Sequence, residues 1–399
     1  MTRRRPLWSA AAQVVAWVPR ISVALGLAYG VLWYLSPHRF GDYLRNPRAT
    51  DFALYYRDAR AGLEFGWSHM YDLQAFERAT REVLPVSRDS PTLVSLSIPL
   101  LTWLAAPFAL LPLNTGYLLW LLLMALCLGG TFWLLAPRRP LHAAAWLLFA
   151  PLALTFALGQ SAALVAISVA AAARLLRAGR EWPAGLALGL ALVKPQLVVL
   201  LPFCLLAAGR WRALTGWIAI GTAIAALTLA VVGVPAAVDY VHRVLGVSGT
   251  PATLQVISDA APVSALPSWT LKALVIAAVA AACAALAWLE RRSSDRVLAV
   301  ALVGSLLAAP YLHYQDLLLL VLAGWLVLAA EPTRWERWLL GTGYLQAALA
   351  ISVLPALEAC WLVARLAVGL RRPDRPPVAA DTQDAEEEAG EDRLHTQRH

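Results

Sequence analysis

Charged residues are scarce in this chain, and their scarcity decides its class. Only 15% of the 399 residues are Asp, Glu, Lys or Arg, whereas 60% are hydrophobic and the mean hydropathy is +0.62. A soluble domain of this length would lack the polar surface that it needs in water. The composition therefore excludes an ordinary soluble protein and indicates an integral membrane protein.

Cysteine is also rare, and no metal-binding motif is present. The four cysteines all lie inside hydrophobic segments, without the spacing of a zinc site or of a disulfide framework. The polar segments contain neither an Asp-x-Asp triplet nor a cluster of histidines. We expect no metal and no cofactor. The net charge of +8 reflects arginines beside the membrane, so we also expect no nucleic-acid partner.

Long uncharged runs are what the chain has in abundance. They predict an all-α, polytopic membrane protein, a single domain over 1–370 built as a bundle of about 11–13 membrane helices. The candidate spans are 16–35, 93–112, 114–136, 141–157, 160–177, 183–208, 214–234, 269–289, 297–312, 316–330, 338–354 and 356–370.

Arginine carries nearly all of the positive charge, since only two of the 33 basic residues are lysines. Arginine clusters mark the cytoplasmic side of a membrane protein. Their positions predict cytoplasmic termini, with a disordered tail at 371–399. The segments 36–90 and 235–268 and the turn 311–315 should then face outward.

Two hydrophobic runs fit a complete crossing poorly. The run 93–112 is rich in proline, so we expect a re-entrant or incomplete crossing there. The run 183–208 has arginines on both flanks. It should therefore enter the membrane and return, with Lys194 and Pro195 near its tip.

The polar insert at 36–90 predicts an ordered exoplasmic loop with two short amphipathic helices lying in the headgroup plane. Thr50 is a plausible N-cap of the first helix, Asp51 begins it and either Gly62 or Gly66 ends it, while Asp72 opens the second. The polar face of the first helix would carry Arg57, Arg60 and Glu64. A carboxylate at a helix start is stabilised by the helix dipole, so Asp51 taken alone needs no function.

Lys194 is a charge inside an otherwise apolar run, which costs on the order of 2.5–3.5 kcal/mol on insertion scales. Its ammonium group either meets a phosphate in a water-filled cavity or extends along a short helix to the membrane interface. We adopt the phosphate hypothesis, because ionisable groups inside a membrane are functional by default.

A polar turn near the end of the chain combines His313 with Tyr311 and Gln315. These side chains offer donors to a phosphate or to sugar hydroxyls, and imidazole titrates near neutral pH. The alternative for the tyrosines is an aromatic belt at the interface. Gln160, directly after Gly159, is either a polar contact or a simple loop end.

Several short motifs follow one another along the chain. They are Asp51-x-x-x-Tyr55, Gly66 with Tyr71-Asp72, Gly159-Gln160-Ser161, the segment 184–189 leading to Lys194-Pro195, Arg210-Trp211-Arg212 and 310–314. In this order they resemble glycosyltransferase family 87, whose members use polyprenyl-phosphate mannose and belong to the GT-C superfamily. The resemblance covers roughly residues 10–370, departs from the family at Ser90-Pro91-Thr92 and matches poorly over 235–268.

The resemblance implies a GT-C-type bundle that transfers a hexose, mannose, to a hydroxyl of a glycolipid or glycan acceptor, on the exoplasmic side of the cell membrane. It implies that Asp51 is the catalytic base and that Lys194 and His313 bind the donor phosphate. Further candidates for substrate binding are Tyr55, Asp58, Gln160, Tyr311 and Gln315. The inverting chemistry needs one base and charge stabilisation of the leaving phosphate.

A lipid or solute transporter is the alternative from another functional class, since transporters also use broken helices and buried lysines. Such a protein is expected to have matching broken segments in its two halves, and the sequence suggests only 183–208. A purely structural subunit would leave Lys194 unexplained. The acceptor, the sugar and the polyprenol length stay open at this point.

Overall fold

The computed structural model describes residues 7–36, 40–72, 78–80, 97–136, 139–249, 263, 266–349 and 354–370. Within these ranges the chain is helical and contains no β-strand. The all-α fold expected from the sequence is confirmed. The predicted tail at 371–399 lies outside the described residues.

The α-helices follow one another along the chain. In the first half they are α1 (Leu7–Leu35), α2 (Asp42–Arg45), α3 (Asp51–Phe65), α4 (Pro99–Ala109), α5 (Leu113–Leu135), α6 (Pro140–Leu147), α7 (Ala150–Leu158) and α8 (Ala162–Arg177). The second half contains α9 (Glu181–Leu188), α10 (Leu201–Ala207), α11 (Trp211–Val231), α12 (Val234–Gly249), α13 (Trp269–Leu289), α14 (Ser294–Ala308), α15 (Leu318–Ala329), α16 (Arg334–Leu349) and α17 (Leu354–Leu370).

Four of the described helices are long and apolar enough to cross a membrane, namely α1, α5, α11 and α13. Helices α6 and α7 meet the same criterion as a pair, but they are bent by 51° at the break between them. With these spans the chain is a multi-pass membrane protein. Helix α4 has only 11 residues, about 16 Å, which agrees with an incomplete crossing.

The segment between α8 and α11 forms a hairpin. Helix α9 continues as a 3-10 helix over Gly189–Val193, the chain turns at Lys194, and it returns through a second 3-10 helix, Pro195–Val198, and α10. The two ends lie side by side, because Arg210 Nη1 donates to Glu181 Oε1 at 2.8 Å. The segment therefore folds back on itself with Lys194 at the tip, and its entry into the membrane stays a prediction.

Helix α3 begins and ends where the sequence predicted. Thr50 is extended and precedes the first turn, although its Oγ1 donates to Pro47 O at 2.6 Å instead of capping the helix. Gly66 adopts φ +90°, a conformation that favours glycine, and ends it. Most of the second predicted helix, after Asp72, lies outside the described residues.

The prediction that Arg57 lies on a water-exposed polar face of α3 is wrong. This side chain is 1% exposed and is paired with Asp58, itself 1% exposed, at 2.9 Å. Helix α3 packs against α4 and α5, where Phe52 contacts Tyr117 and Trp120, and its Arg57–Asp58 pair is buried as well. The helix is therefore held inside the protein instead of lying freely in the headgroup plane.

Helix α14 lies at the centre of the bundle and is buried from Asp295 to Ala308. At its N-terminal end Arg296 pairs with Glu336 at 2.8 Å, and Arg365 pairs with Glu290. Its C-terminal end leads into the turn that carries His313. Fifteen helical residues, about 22 Å, thus separate these ion pairs from the polar turn.

Candidate active site

The junction between α7 and α8 places Gln160. Helix α7 ends at Gly159, which adopts φ +66° and so allows Gln160 N to donate back to Thr155 O at 2.9 Å. A Cβ on Gly159 would lie 2.9 Å from Trp120 Cδ1, and Trp120 Nε1 donates to Gly159 O at 2.7 Å. Only glycine fits this turn without moving the tryptophan, and the turn directs the glutamine into the bundle.

Gln160 joins three of the residues that the sequence singled out. Its Nε2 donates to Asp51 Oδ2 at 2.5 Å, and its Oε1 accepts from Lys194 Nζ at 3.1 Å and from the hydroxyl of Tyr55 at 3.0 Å. The glutamine side chain is only 4% exposed. Residues that are up to 143 positions apart in sequence therefore meet at one amide.

Lys194 has a partner that the sequence analysis missed. Its Nζ lies 2.5 Å from Asp316 Oδ1, and Asp316 is fully buried. The expectation that a bound ligand is the sole counter-charge of Lys194 is therefore wrong. A buried charge requires a counter-charge, and Asp316 stands one residue after Gln315 in the polar turn, so this requirement was the signal that could have found it.

Asp51 lies at the first position of α3, partly buried at the edge of the cluster. Burial raises the pKa of its carboxyl above the usual aspartate value, although His313, Lys194 and the hydrogen bond from Gln160 each lower it. Gln315 Nε2 also lies 3.4 Å from its Oδ2. The carboxylate is thus a proton acceptor whose affinity for protons is higher than that of a solvated aspartate.

The turn that carries His313 is built by Asp316. Its second oxygen, Oδ2, accepts from His313 N at 3.2 Å, which starts the 3-10 helix Tyr314–Leu317. Thr155 Oγ1 donates to Gln315 O at 2.9 Å, so the turn is also fastened to α7. His313 is partly exposed and close enough to Asp51 to influence its pKa.

The other two candidates lie away from the Gln160 cluster. Asp58 is two turns further along α3, in its buried pair with Arg57. Tyr311 is partly exposed and lies near Tyr240 of α12. The structure thus groups Asp51, Tyr55, Gln160, Lys194, His313 and Gln315, and adds Asp316.

Two further features of the described residues define what the site contains. No three or more His, Cys, Asp or Glu side chains in this part of the chain come together so as to hold a metal ion. An apolar cavity of about 300 Å³ lies elsewhere, against α15, α16 and α17, with Phe149 and Trp361 in its wall.

Comparison with known proteins identifies the family. The sequence model of glycosyltransferase family 87 matches residues 99–310, which is slightly more than half of the chain and includes Gln160 and Lys194. Neither the curated proteins nor the solved structures gave a match. The chain belongs to glycosyltransferase family 87, and it is a multi-pass membrane glycosyltransferase.

Proposed function

We propose that this enzyme moves a hexose, mannose, from a polyprenyl-phosphate donor to a hydroxyl of a glycolipid or glycan acceptor on the exoplasmic face of the cell membrane. The observation that carries the proposal is the meeting of a carboxylate, Asp51, and an ammonium group, Lys194, on one amide. Transfer of a sugar from a lipid phosphate requires a proton acceptor for the attacking hydroxyl and a cation for the departing phosphate. These two groups must lie no further apart than the length of one sugar phosphate.

Asp51 takes the proton in this mechanism. The acceptor oxygen attacks the anomeric carbon while its proton passes to the carboxylate, and the bond from that carbon to the phosphate oxygen breaks with its electron pair on the phosphate. Attack from the face opposite the phosphate inverts the anomeric configuration. A carboxylate with a raised pKa is better matched to this role than a solvated aspartate.

Lys194 and His313 act on the donor phosphate. During transfer one negative charge leaves Asp51 and one develops on the departing phosphate oxygen, so cationic donors near that oxygen lower the barrier. The lysine is held 3.1 Å from Gln160, beside the carboxylate, and His313 lies in the adjoining turn. Both groups are thus within reach of a phosphate whose sugar lies against Asp51.

The location of the site supports exoplasmic transfer. The Gln160 cluster lies at the tip of the hairpin, whereas the hairpin ends, Glu181 and Arg210, belong to an arginine-rich region. Arginine-rich ends favour the cytoplasm. The tip would then open toward the outside, where a lipid-linked sugar is available.

A transporter has less support than before the family was known. The bent pair α6 and α7 is a second broken segment, so the expectation of a single broken segment was incomplete and does not by itself argue against transport. Membership of a glycosyltransferase family does argue against a transporter. The site also contains a base positioned for chemistry, which transport does not require.

Substitution of Asp51 tests the proposal. Purified protein would be given radiolabelled polyprenyl-phosphate mannose and a membrane extract that contains glycolipid acceptors. Asp51→Asn retains the side-chain size but cannot accept a proton, so the rate of transfer should fall by about 10²-fold or more. Glu64→Gln, an exposed residue on the same helix, is the matched control and should keep its activity.

Each outcome of this assay is informative. Labelled glycolipid from the parent protein but not from Asp51→Asn, at equal amounts of folded protein, supports the assignment. Near-full transfer by Asp51→Asn contradicts the base assignment, and no transfer by the parent protein from this donor contradicts the choice of donor.

A further inference from the structure

The amide of Gln160 has a fixed orientation. An ammonium group can only donate hydrogen bonds, so the amide atom 3.1 Å from Lys194 Nζ must be the oxygen. The hydroxyl of Tyr55 donates to the same oxygen at 3.0 Å. The other end, which faces Asp51, is therefore the NH₂ group, and it can only donate.

The side-chain amides of Gln160 and Gln315 both contact the same carboxylate oxygen of Asp51. Gln160 Nε2 lies 2.5 Å from Oδ2, and Gln315 Nε2 lies 3.4 Å from it. Donors on Oδ2 stabilise the ionised carboxylate and fix its rotation about the Cβ–Cγ bond.

We propose that Gln160 is a positioning residue for Asp51: it holds Oδ2, so that Oδ1 receives the proton of the acceptor, and it ties the base to Lys194. This inference rests on the proposed function. It replaces the earlier hypothesis that Gln160 contacts the substrate, because both ends of its amide are already engaged by protein groups.

Gln160 can hold Asp51 at every pH only because its amide neither gains nor loses a proton. A carboxylate at position 160 would face Asp51 across 2.5 Å, and two carboxylates at that distance cannot both be ionised without a strong rise in one pKa. An amide supplies the donor at every pH. It therefore favours the ionised form of the base and keeps it oriented over the whole working range, against the rise in pKa that burial causes.

Two substitutions separate positioning from substrate binding. Gln160→Met keeps the length of the side chain but removes both hydrogen-bonding ends, so kcat should fall by about 10-fold or more with less than a threefold change in the KM for donor. The acid limb of the pH–rate profile should move to higher pH, because Asp51 loses a donor that lowers its pKa. Gln160→Glu should move that limb further in the same direction.

Tyr55→Phe is the companion variant. It removes one of the two groups that orient the amide and leaves Gln160 in contact with Asp51 and Lys194, so it should give a smaller shift in the same direction. Because it deletes a single oxygen, it also keeps the inference testable should a substitution at 160 reduce the amount of folded protein.

The opposite result is equally clear. If Gln160→Met raises the KM for donor while kcat and the pH–rate profile stay as in the parent protein, Gln160 binds substrate and the inference is wrong. That failure differs from failure of the proposed function, which would appear as full activity of Asp51→Asn.

Discussion

The site contains two carboxylates, Asp51 and Asp316, and one ammonium group, Lys194. Asp316 is buried and already neutralises most of the charge of Lys194, while Asp51 contacts that lysine only through Gln160. The attraction of Lys194 for an anion is therefore moderate. If the donor is a polyprenyl-phosphate sugar, as proposed, a moderate attraction allows the enzyme to release the product phosphate as well as bind the donor.

Substitution of Lys194 should separate stability from activity. Removing one member of a buried ion pair leaves the other charge without compensation, so Lys194→Met should lower the free energy of unfolding by about 3–5 kcal/mol. The double variant Lys194→Met with Asp316→Asn should recover most of this loss, since the asparagine oxygen still accepts from His313 N. Neither variant should transfer sugar.

Thermal unfolding in detergent and the transfer assay together check this prediction. Substantial activity in the stable double variant would mean that Lys194 serves the fold alone. This expectation differs from the one that an unpaired lysine would give, in which its removal leaves stability unchanged.

The residues of the site differ in how far sequence could identify them. Asp51 and Gln160 were singled out through the family resemblance, because a helix start after Thr50 and a polar residue after Gly159 need no function when taken alone. Asp316 was missed, because its partner lies 122 residues away and pairing at that separation depends on how the hairpin packs.

Helices and their junctions determine where the tip of the hairpin lies. Helix α9 packs closely on α11, and a Cβ on Gly185 would lie 2.0 Å from Ala213 O and 2.8 Å from Trp217 N. Both atoms belong to helical backbone, which cannot yield to a side chain. Leu200 N also donates to Ser305 Oγ of α14 at 3.0 Å, which fixes the returning half of the hairpin against α14.

Alanine at Gly185 should therefore force α9 away from α11. We expect Gly185→Ala to destabilise the protein by about 1–3 kcal/mol and to reduce transfer, because the displacement reaches Lys194 through a short 3-10 helix. Gly221→Ala on α11 is the matched control, since its Cβ would make only an ordinary contact at 3.6 Å with Leu192.

Thermal unfolding of the two alanine variants is the relevant measurement. Gly221→Ala should be neutral or more stable, given the higher helix propensity of alanine. Equal stability of Gly185→Ala and the parent protein would contradict the close packing of α9 on α11.

The start and end of α3 could be read from sequence, whereas its surroundings could not. Gly66 ends the helix through its own backbone preference, which is a local property. The burial of Arg57 and Asp58 depends on how the rest of the chain packs around α3, which the sequence of the helix does not contain. Periodicity identifies two faces of a helix, but packing decides which of them meets water.

The molecule as a whole has two polar ends separated by the length of α14. One end carries the ion pairs of Arg296 with Glu336 and of Arg177 with Asp295. The other end carries the Gln160 cluster. Since the first end adjoins the arginine clusters, the positive-inside rule predicts that it is cytoplasmic and that the site faces outward.

Cysteine labelling checks this orientation. With the four native cysteines replaced by serine or alanine, a single cysteine in place of the exposed His69 should react with a membrane-impermeant maleimide in intact cells. A single cysteine in place of the exposed Arg212 should react only after the cells are permeabilised. The reverse pattern would invert the topology and remove the support for exoplasmic transfer.

The burial of Lys194 has a consequence for amine chemistry. The chain has only two lysines, and Lys194 and Lys272 are 8% and 9% exposed. Acylating reagents and amine-directed cross-linkers therefore find few reactive side chains on this protein. Because the Lys194 ammonium is held by Asp316 and Gln160, its acylation, read by mass spectrometry on the native chain, would report how often these contacts open.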